Sequence, residues 1–123
     1  MVMKYILLVE DEEELVELLS IALKDSGYRV LTTPRAPQAL MMCMNQKFDC
    51  IVLDIKLAQG TGDLIVDGIR KPKHLNEKTP VIITSGYLDQ DLVRNIAGKI
   101  HGVVVKPFDT ENLLQRIAVL CGK

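Results

Sequence analysis

Several short apolar runs in this chain each stop at a charged or hydroxyl-bearing residue, and they limit the available folds more than any other feature. Cys50-Ile51-Val52-Leu53 runs into Asp54, and Tyr5-Ile6-Leu7-Leu8-Val9 into Glu10 and Asp11. Val81-Ile82-Ile83 runs into Thr84 and Ser85, and Val103-Val104-Val105 into Lys106. Continuous runs of this length, without polar alternation, suit strands buried on both faces, as in a parallel sheet covered by helices. An ionised side chain where such a strand leaves the core costs free energy unless something pairs with it. Asp54 is the sharpest case.

Between the runs the spacing turns helical. Leu15, Leu18, Leu19 and Ala22 predict a first helix, stopped by Gly27. Residues 28–33 read as a strand, after which Pro34 and Pro37 mark a loop and a helix start. Ala39, Leu40 and Cys43 supply the inner face of that second helix. Met41, Met42 and Met44 read as packing residues. Gly60 and Gly62 lie in the loop after Asp54, and a third helix is expected over residues 63–70, with Leu64, Ile65 and Ile69 inward. Gly68 should weaken that helix by roughly 1 kcal/mol relative to Ala. Residues 71–79 are polar and read as a surface connection. Val93, Ile96, Ala97 and Ile100 define a fourth helix. Asp109 can cap a fifth, whose inner face is Leu113, Leu114, Ile117 and Cys121. Strands alternating with helices mean parallel pairing through right-handed crossovers, with a helix layer on each face.

A chain of 123 residues with no internal repeat or linker is one domain by length. At 48% hydrophobic and 25% charged it is globular rather than disordered. A net charge of −1 gives no reason to expect nucleic acid or an anionic membrane as a direct partner. No run is long enough for a membrane span, and there is no signal-peptide pattern, so a cytoplasmic protein is expected. Cys43, Cys50 and Cys121 fit buried free thiols better than a disulfide or zinc site. His74 and His101 are assigned no role.

In open α/β sheets ligands bind beyond the carboxyl ends of the strands, so the residues just past each run carry the chemistry. These are Glu10 and Asp11, Asp54, Ser85 and Lys106. Two carboxylates about 4 Å apart repel by roughly 4 kcal/mol at an effective dielectric of 20, and one lysine cannot neutralise three of them. A hard divalent cation can, and Mg²⁺ favours a few carboxylates, waters and a phosphate oxygen. Carboxylate, metal, lysine and hydroxyl together suit phosphoryl transfer. Singly, each residue has a plainer reading. Asp11 with Glu14 is a capping-box variant, Asp54 a turn starter, Ser85-Gly86 a turn and Lys106 a solvated lysine. Their shared position at one sheet edge outweighs those readings.

Leu8-Val9-Glu10-Asp11, Val52-Leu53-Asp54 with Gly62 eight residues on, Pro80 to Gly86, and Val105-Lys106-Pro107-Phe108 occur in that order. With these pieces the chain resembles the receiver domain of two-component response regulators over essentially its whole length. The resemblance implies a single receiver domain over residues 1–123 with a flavodoxin-like fold. Its doubly wound parallel sheet has five strands in the order 2-1-3-4-5, with five helices completing three layers. It also implies that Asp54 takes a phosphoryl group from a histidine kinase or a histidine phosphotransfer protein. Asp11 and Asp54, the carbonyl of Lys56 and, through water, Glu10 would hold Mg²⁺. Lys106 would pair with the phosphoryl group, Ser85 would hydrogen-bond it, and the Lys106-Pro107 bond would be cis. Such a domain is not a turnover enzyme. Its reporting surface would be the fourth helix, fifth strand and fifth helix, which is also where a homodimer is expected.

Two positions depart from the family: Val103 stands where an aromatic residue is frequent, and Ala58 where proline is common. Lys56 and Tyr87 flank the site and are expected to tune the phosphoryl lifetime. The expected output is partner binding by the domain alone or by a larger regulator or hybrid kinase containing it. Among competing functions, an aspartyl-nucleophile phosphatase wants a second Asp where Lys56 stands. A nucleotide-binding domain wants a glycine-rich phosphate loop that is absent. A non-phosphorylated interaction module of the same fold would not need the acidic pair, Ser85 and Lys106.

Overall fold

Each apolar run forms a strand in the computed structural model, which describes residues 2–86 and 89–122. The strands are β1 (Tyr5–Val9), β2 (Arg29–Thr33), β3 (Cys50–Asp54), β4 (Val81–Ser85) and β5 (Gly102–Val105). The helices are α1 (Glu13–Asp25), α2 (Ala36–Asn45), α3 (Gly62–Ile69), α4 (Gln90–Ile96) and α5 (Thr110–Cys121). All strand pairs are parallel, in the order β2-β1-β3-β4-β5. Every residue of β3 and β4 is buried, whereas the edge strands β2 and β5 are partly exposed. The order reverses at β1, whose neighbours are β2 and β3, so the switch-point crevice opens beside Asp11 and Asp54.

Strand alternation divides the apolar residues between two cores. Leu7, Val9, Ile51 and Leu53 face α2, α3 and α4 with Ala39, Cys43, Ile65, Ile69 and Ile96. Ile6, Leu8, Cys50 and Val52 face α1 and α5 with Leu19, Leu23, Leu113 and Ile117. The three cysteines are free and buried. Burial pushes the Cys43 thiol up to about 11. A hydrogen bond with Cys121, then burial, raises Cys50.

Several helix faces differ from the sequence expectation. Leu18 and Leu64 are exposed, and Leu23 and Val66 take the inward positions instead. Both helices carry more apolar residues than one stripe can bury, and contact with the sheet selects the phase. Met41 and Met44 are likewise exposed on the outer face of α2, and only Met42 packs against the core. The fourth helix ends at Ile96 and gives way to a 3₁₀ turn at Ala97–Lys99, leaving Ala97 exposed and Ile100 outside it. Gly68 faces α2, where a Cβ would meet only the end of the Leu40 side chain.

The 71–79 connection is not wholly a surface segment. Asn76 is fully buried, and its Oδ1 accepts from Phe48 N (2.9 Å) and Thr79 Oγ1 (2.9 Å). Its Nδ2 donates to the carbonyls of Cys43 (2.7 Å) and Gln46 (2.9 Å). One side chain thus ties α2, the entry to β3 and the entry to β4. The cap of α5 is as expected, with Asp109 Oδ1 accepting from Glu111 N at 3.0 Å. The Asp11–Glu14 capping box, the plainer reading of these residues, does not form. Glu12 is the N-cap of α1, without a side-chain cap bond, because the Asp11 carboxylate is engaged elsewhere.

Candidate functional site

Glu10, Asp11 and Asp54 each bring one carboxylate oxygen within 4.8 Å of the other two. Residues far apart in the chain meet because β1 and β3 are adjacent, with Val9, the last residue of β1, opposite Leu53, one residue before the end of β3. Glu10 and Asp54 are buried, at 3% and 6% exposure, and Asp11 is half-buried. Lys106, just past β5, reaches across to donate to Glu10 Oε1 at 2.8 Å and Asp54 Oδ2 at 2.9 Å. Its peptide to Pro107 is cis, as the resemblance implied. The Lys106 backbone N–H also donates to the Ser85 carbonyl at 2.7 Å, extending the β4–β5 register beyond Ser85 opposite Val105.

Three of the four remaining carboxylate oxygens face main-chain amides. Glu10 Oε2 accepts from the N–H groups of Asp11 and Glu12, both at 3.1 Å. Asp54 Oδ1 accepts from Lys56 N at 3.1 Å, and Asp11 Oδ2 accepts from Ala58 N at 2.7 Å. Among the described residues, Asp11 Oδ1 is the one oxygen of the three carboxylates that accepts no hydrogen bond. Gly62 completes the wall. A Cβ there would lie 2.3 Å from Leu53 Cδ1 and 2.8 Å from the Asp54 carbonyl oxygen, so no side chain fits where α3 begins against β3.

The charges do not balance, since three carboxylates face one ammonium. Glu10 shows the consequence. Burial, with the nearby Asp54 charge adding to it, holds its pKa above the ordinary value although hydrogen bonds from Lys106 and the Glu12 amide oppose this. Burial alone would lower Lys106, but its hydrogen bonds and charge interactions with Glu10 and Asp54 hold it above the ordinary lysine value. An all-oxygen set with excess negative charge and an open carboxylate oxygen fits a hard divalent cation. Glu10, Asp11 and Asp54 supply such a set.

Ser85 is buried at 4% exposure one residue beyond Thr84, which lies opposite Asp54. It also lines a cavity of about 480 Å³ with Gln90, Val93, Val103 and Val105, between α4 and β5. The Lys56 side chain is exposed, while its amide turns in to Asp54. Tyr87, expected to flank the site, lies outside the described residues. The sequence reading marked Ala58 only as a departure and missed it as the partner of Asp11. A main-chain donor has no sequence signal beyond the residue not being proline.

The fold and the strand-end constellation define a class, and sequence comparison agrees with it. The model of the response regulator receiver domain family matches residues 6–118, and the chain belongs to that family. Response regulator ArlR of Staphylococcus aureus is 34% identical over 121 residues, covering 96% of this chain and 52% of the relative. The chain therefore spans about half the length of the curated relatives it matches. Chemotaxis response regulator CheY4 of Vibrio cholerae superposes with a TM-score of 0.84 at 26% identity, covering 97% of this chain and 99% of that one. The receiver domain of a sensor histidine kinase from Pseudomonas aeruginosa, with magnesium coordinated in its active-site cleft, gives 0.86 at 23% identity, covering 99% and 100%.

Proposed function

We propose that residues 1–123 act as a single cytoplasmic phosphoacceptor unit in a two-component system, with Asp54 as the acceptor. The observation that carries this is the meeting of Asp54, two further carboxylates and Lys106 at the sheet's switch point. A carboxylate oxygen of Asp54 attacks the phosphorus of a phosphohistidine on a histidine kinase or phosphotransfer protein. The P–N bond breaks as the acyl phosphate P–O bond forms, and the imidazole leaves. Bound Mg²⁺ would supply neutralisation of the charge that the phosphoryl group adds. Asp11, Asp54 and the Lys56 carbonyl would hold it, with Glu10 acting through water. Lys106 moves from the Asp54 carboxylate to a phosphoryl oxygen, and the Ser85 hydroxyl donates to another. The domain is modified once per signal rather than turning over substrate.

The reporting face is α4, β5 and α5. Ser85 and Lys106 support this, since one lines the α4–β5 cavity and the other links the end of β5 to the acidic site. A homodimer through this face is one output, and contact with a separate partner is another. Intact mass after incubation with acetyl phosphate and Mg²⁺, or with a phosphorylated kinase, tests the chemistry. One added phosphoryl group is expected, and none on Asp54→Asn. An unchanged wild-type mass with every donor removes the proposal and favours a non-phosphorylated interaction module. Unaltered amide shifts in α4, β5 and α5 with a phosphoryl mimic would remove the reporting face alone.

A further inference from the structure

The loop between β3 and α3 sends two alternate amides into the acidic site, and only one belongs to the phosphoacceptor. Lys56 N–H points at Asp54, and Ala58 N–H, two residues on, points at Asp11 at 2.7 Å. That distance lies at the short end of N–H···O bonds, as expected for a donor facing an ionised acceptor. The bond fixes one oxygen of the Asp11 carboxylate, and Oδ1 has no hydrogen-bond donor among the described residues. The same loop is tied onward, since Gln59, next to Ala58, accepts from Ala36 N at 3.2 Å and bridges Arg35. The loop also closes on itself, with Leu57 N donating to Gly60 O at 3.2 Å and Gly62 N to Ile55 O at 2.8 Å.

We propose that the Ala58 main-chain N–H is a positioning group for the divalent-cation site, holding Asp11 so that Oδ1 faces the cation. This rests on the reading of Glu10, Asp11 and Asp54 as a Mg²⁺ site. Ala58 itself touches neither cation nor phosphoryl group. Its amide orients a ligand, and because residue 59 is bonded to the start of α2, it also joins the site to that helix. Loss of a group that orients a ligand typically weakens metal binding by about 10–100-fold, and an exposed donor belongs at the lower end. Proline at position 58 deletes the donor, whereas glycine or serine keeps it.

The test is Mg²⁺ titration of the unphosphorylated protein, followed by the amide resonances of residues 10–12 and 54–59. Ala58→Pro is expected to raise the Mg²⁺ dissociation constant about tenfold, and Ala58→Ser to leave it within about twofold. An Ala58→Pro protein that binds Mg²⁺ as well as the wild type, or better, overturns the proposal. Absence of Mg²⁺ binding in the wild type would instead strike the cation-site reading beneath it. Amide exchange of Ala58 gives a check that needs no proline variant. This residue is solvent-exposed, so protection of its N–H in the wild type would come from the Asp11 bond, and exchange should be at least about tenfold faster in Asp11→Ala. Equal exchange in the two proteins also overturns the proposal.

Discussion

The two ends of the sheet solve the problem of buried polar groups in opposite ways. At the carboxyl end, Glu10, Asp11 and Asp54 crowd together with one ammonium among them. At the amino end, Asn76 buries an uncharged amide, and both its oxygen and its nitrogen find partners. The Asn76 amide is satisfied within the chain, although Arg70 Nη2 beside it is buried without a hydrogen-bond partner among the described residues. The carboxyl end is held by hydrogen bonds yet keeps a surplus of charge, three carboxylates to one ammonium. Natural proteins break the rule of full compensation at functional sites, and the surplus of charge at the carboxyl end is what marks it as the candidate site.

The largest expected effect is at the neutral end. Asn76→Ala strands the Phe48 amide and the carbonyls of Cys43 and Gln46, while the Thr79 hydroxyl keeps the Phe48 carbonyl as acceptor. The substitution should destabilise the fold by about 3 kcal/mol in urea unfolding while Asp54 still accepts phosphate. A loss of phosphorylation in a folded Asn76→Ala protein would erase the division between the two ends. Next, Mg²⁺ at about a hundred times its dissociation constant should stabilise the wild type by about 2.7 kcal/mol and leave Asp11→Asn almost unchanged. An Asp11→Asn protein that gains as much as the wild type would mean that the carboxylates do not hold the ion.

Lys106→Met comes third. Removing the shared cation leaves Glu10 and Asp54 facing each other, and a loss of about 1–2 kcal/mol is expected without Mg²⁺, since the lysine is partly solvated. Added Mg²⁺ should narrow that gap in the same unfolding measurement; a gap that widens instead would show that the lysine and the cation do not share a task. The smallest effect belongs to His101, near the amino end. Burial, then the Arg70 charge, lowers its pKa from 6.5, and its Nδ1 accepts from Val81 N at 3.2 Å. A lowered histidine pKa favours the folded state above pH 6.5, and that contribution is lost as the pH falls from 6.5 through the folded value. Stability measured over that window should decline less in His101→Asn than in the wild type.

The same contrast explains what the sequence could reveal. Strands β1, β3 and β4 announce themselves because a residue buried on both sides must be apolar at every position. The site residues stand out because each run ends on one. Helix faces were less readable. Leu18, Leu64, Met41 and Met44 fit an apolar stripe by spacing but lie on outer surfaces, since the sheet and not the helix decides which stripe is covered. Asn76 gave no signal at all. An asparagine in a polar loop looks solvated until the chain brings the carbonyls of Cys43 and Gln46 to it. Ala58 was opaque for a related reason, because its contribution is a main-chain amide that almost any residue would provide.

The alternation of β3 between two cores has a consequence for how such a chain can change length. Cys50 and Val52 serve one helix layer and Ile51 and Leu53 the other, so inserting or deleting one residue within the strand would exchange the layers and turn Asp54 to the wrong side. Each of these strands therefore acts as a reading frame, in which only changes by pairs keep the frame. Single-residue insertions and deletions are expected in the turns, where no register is lost.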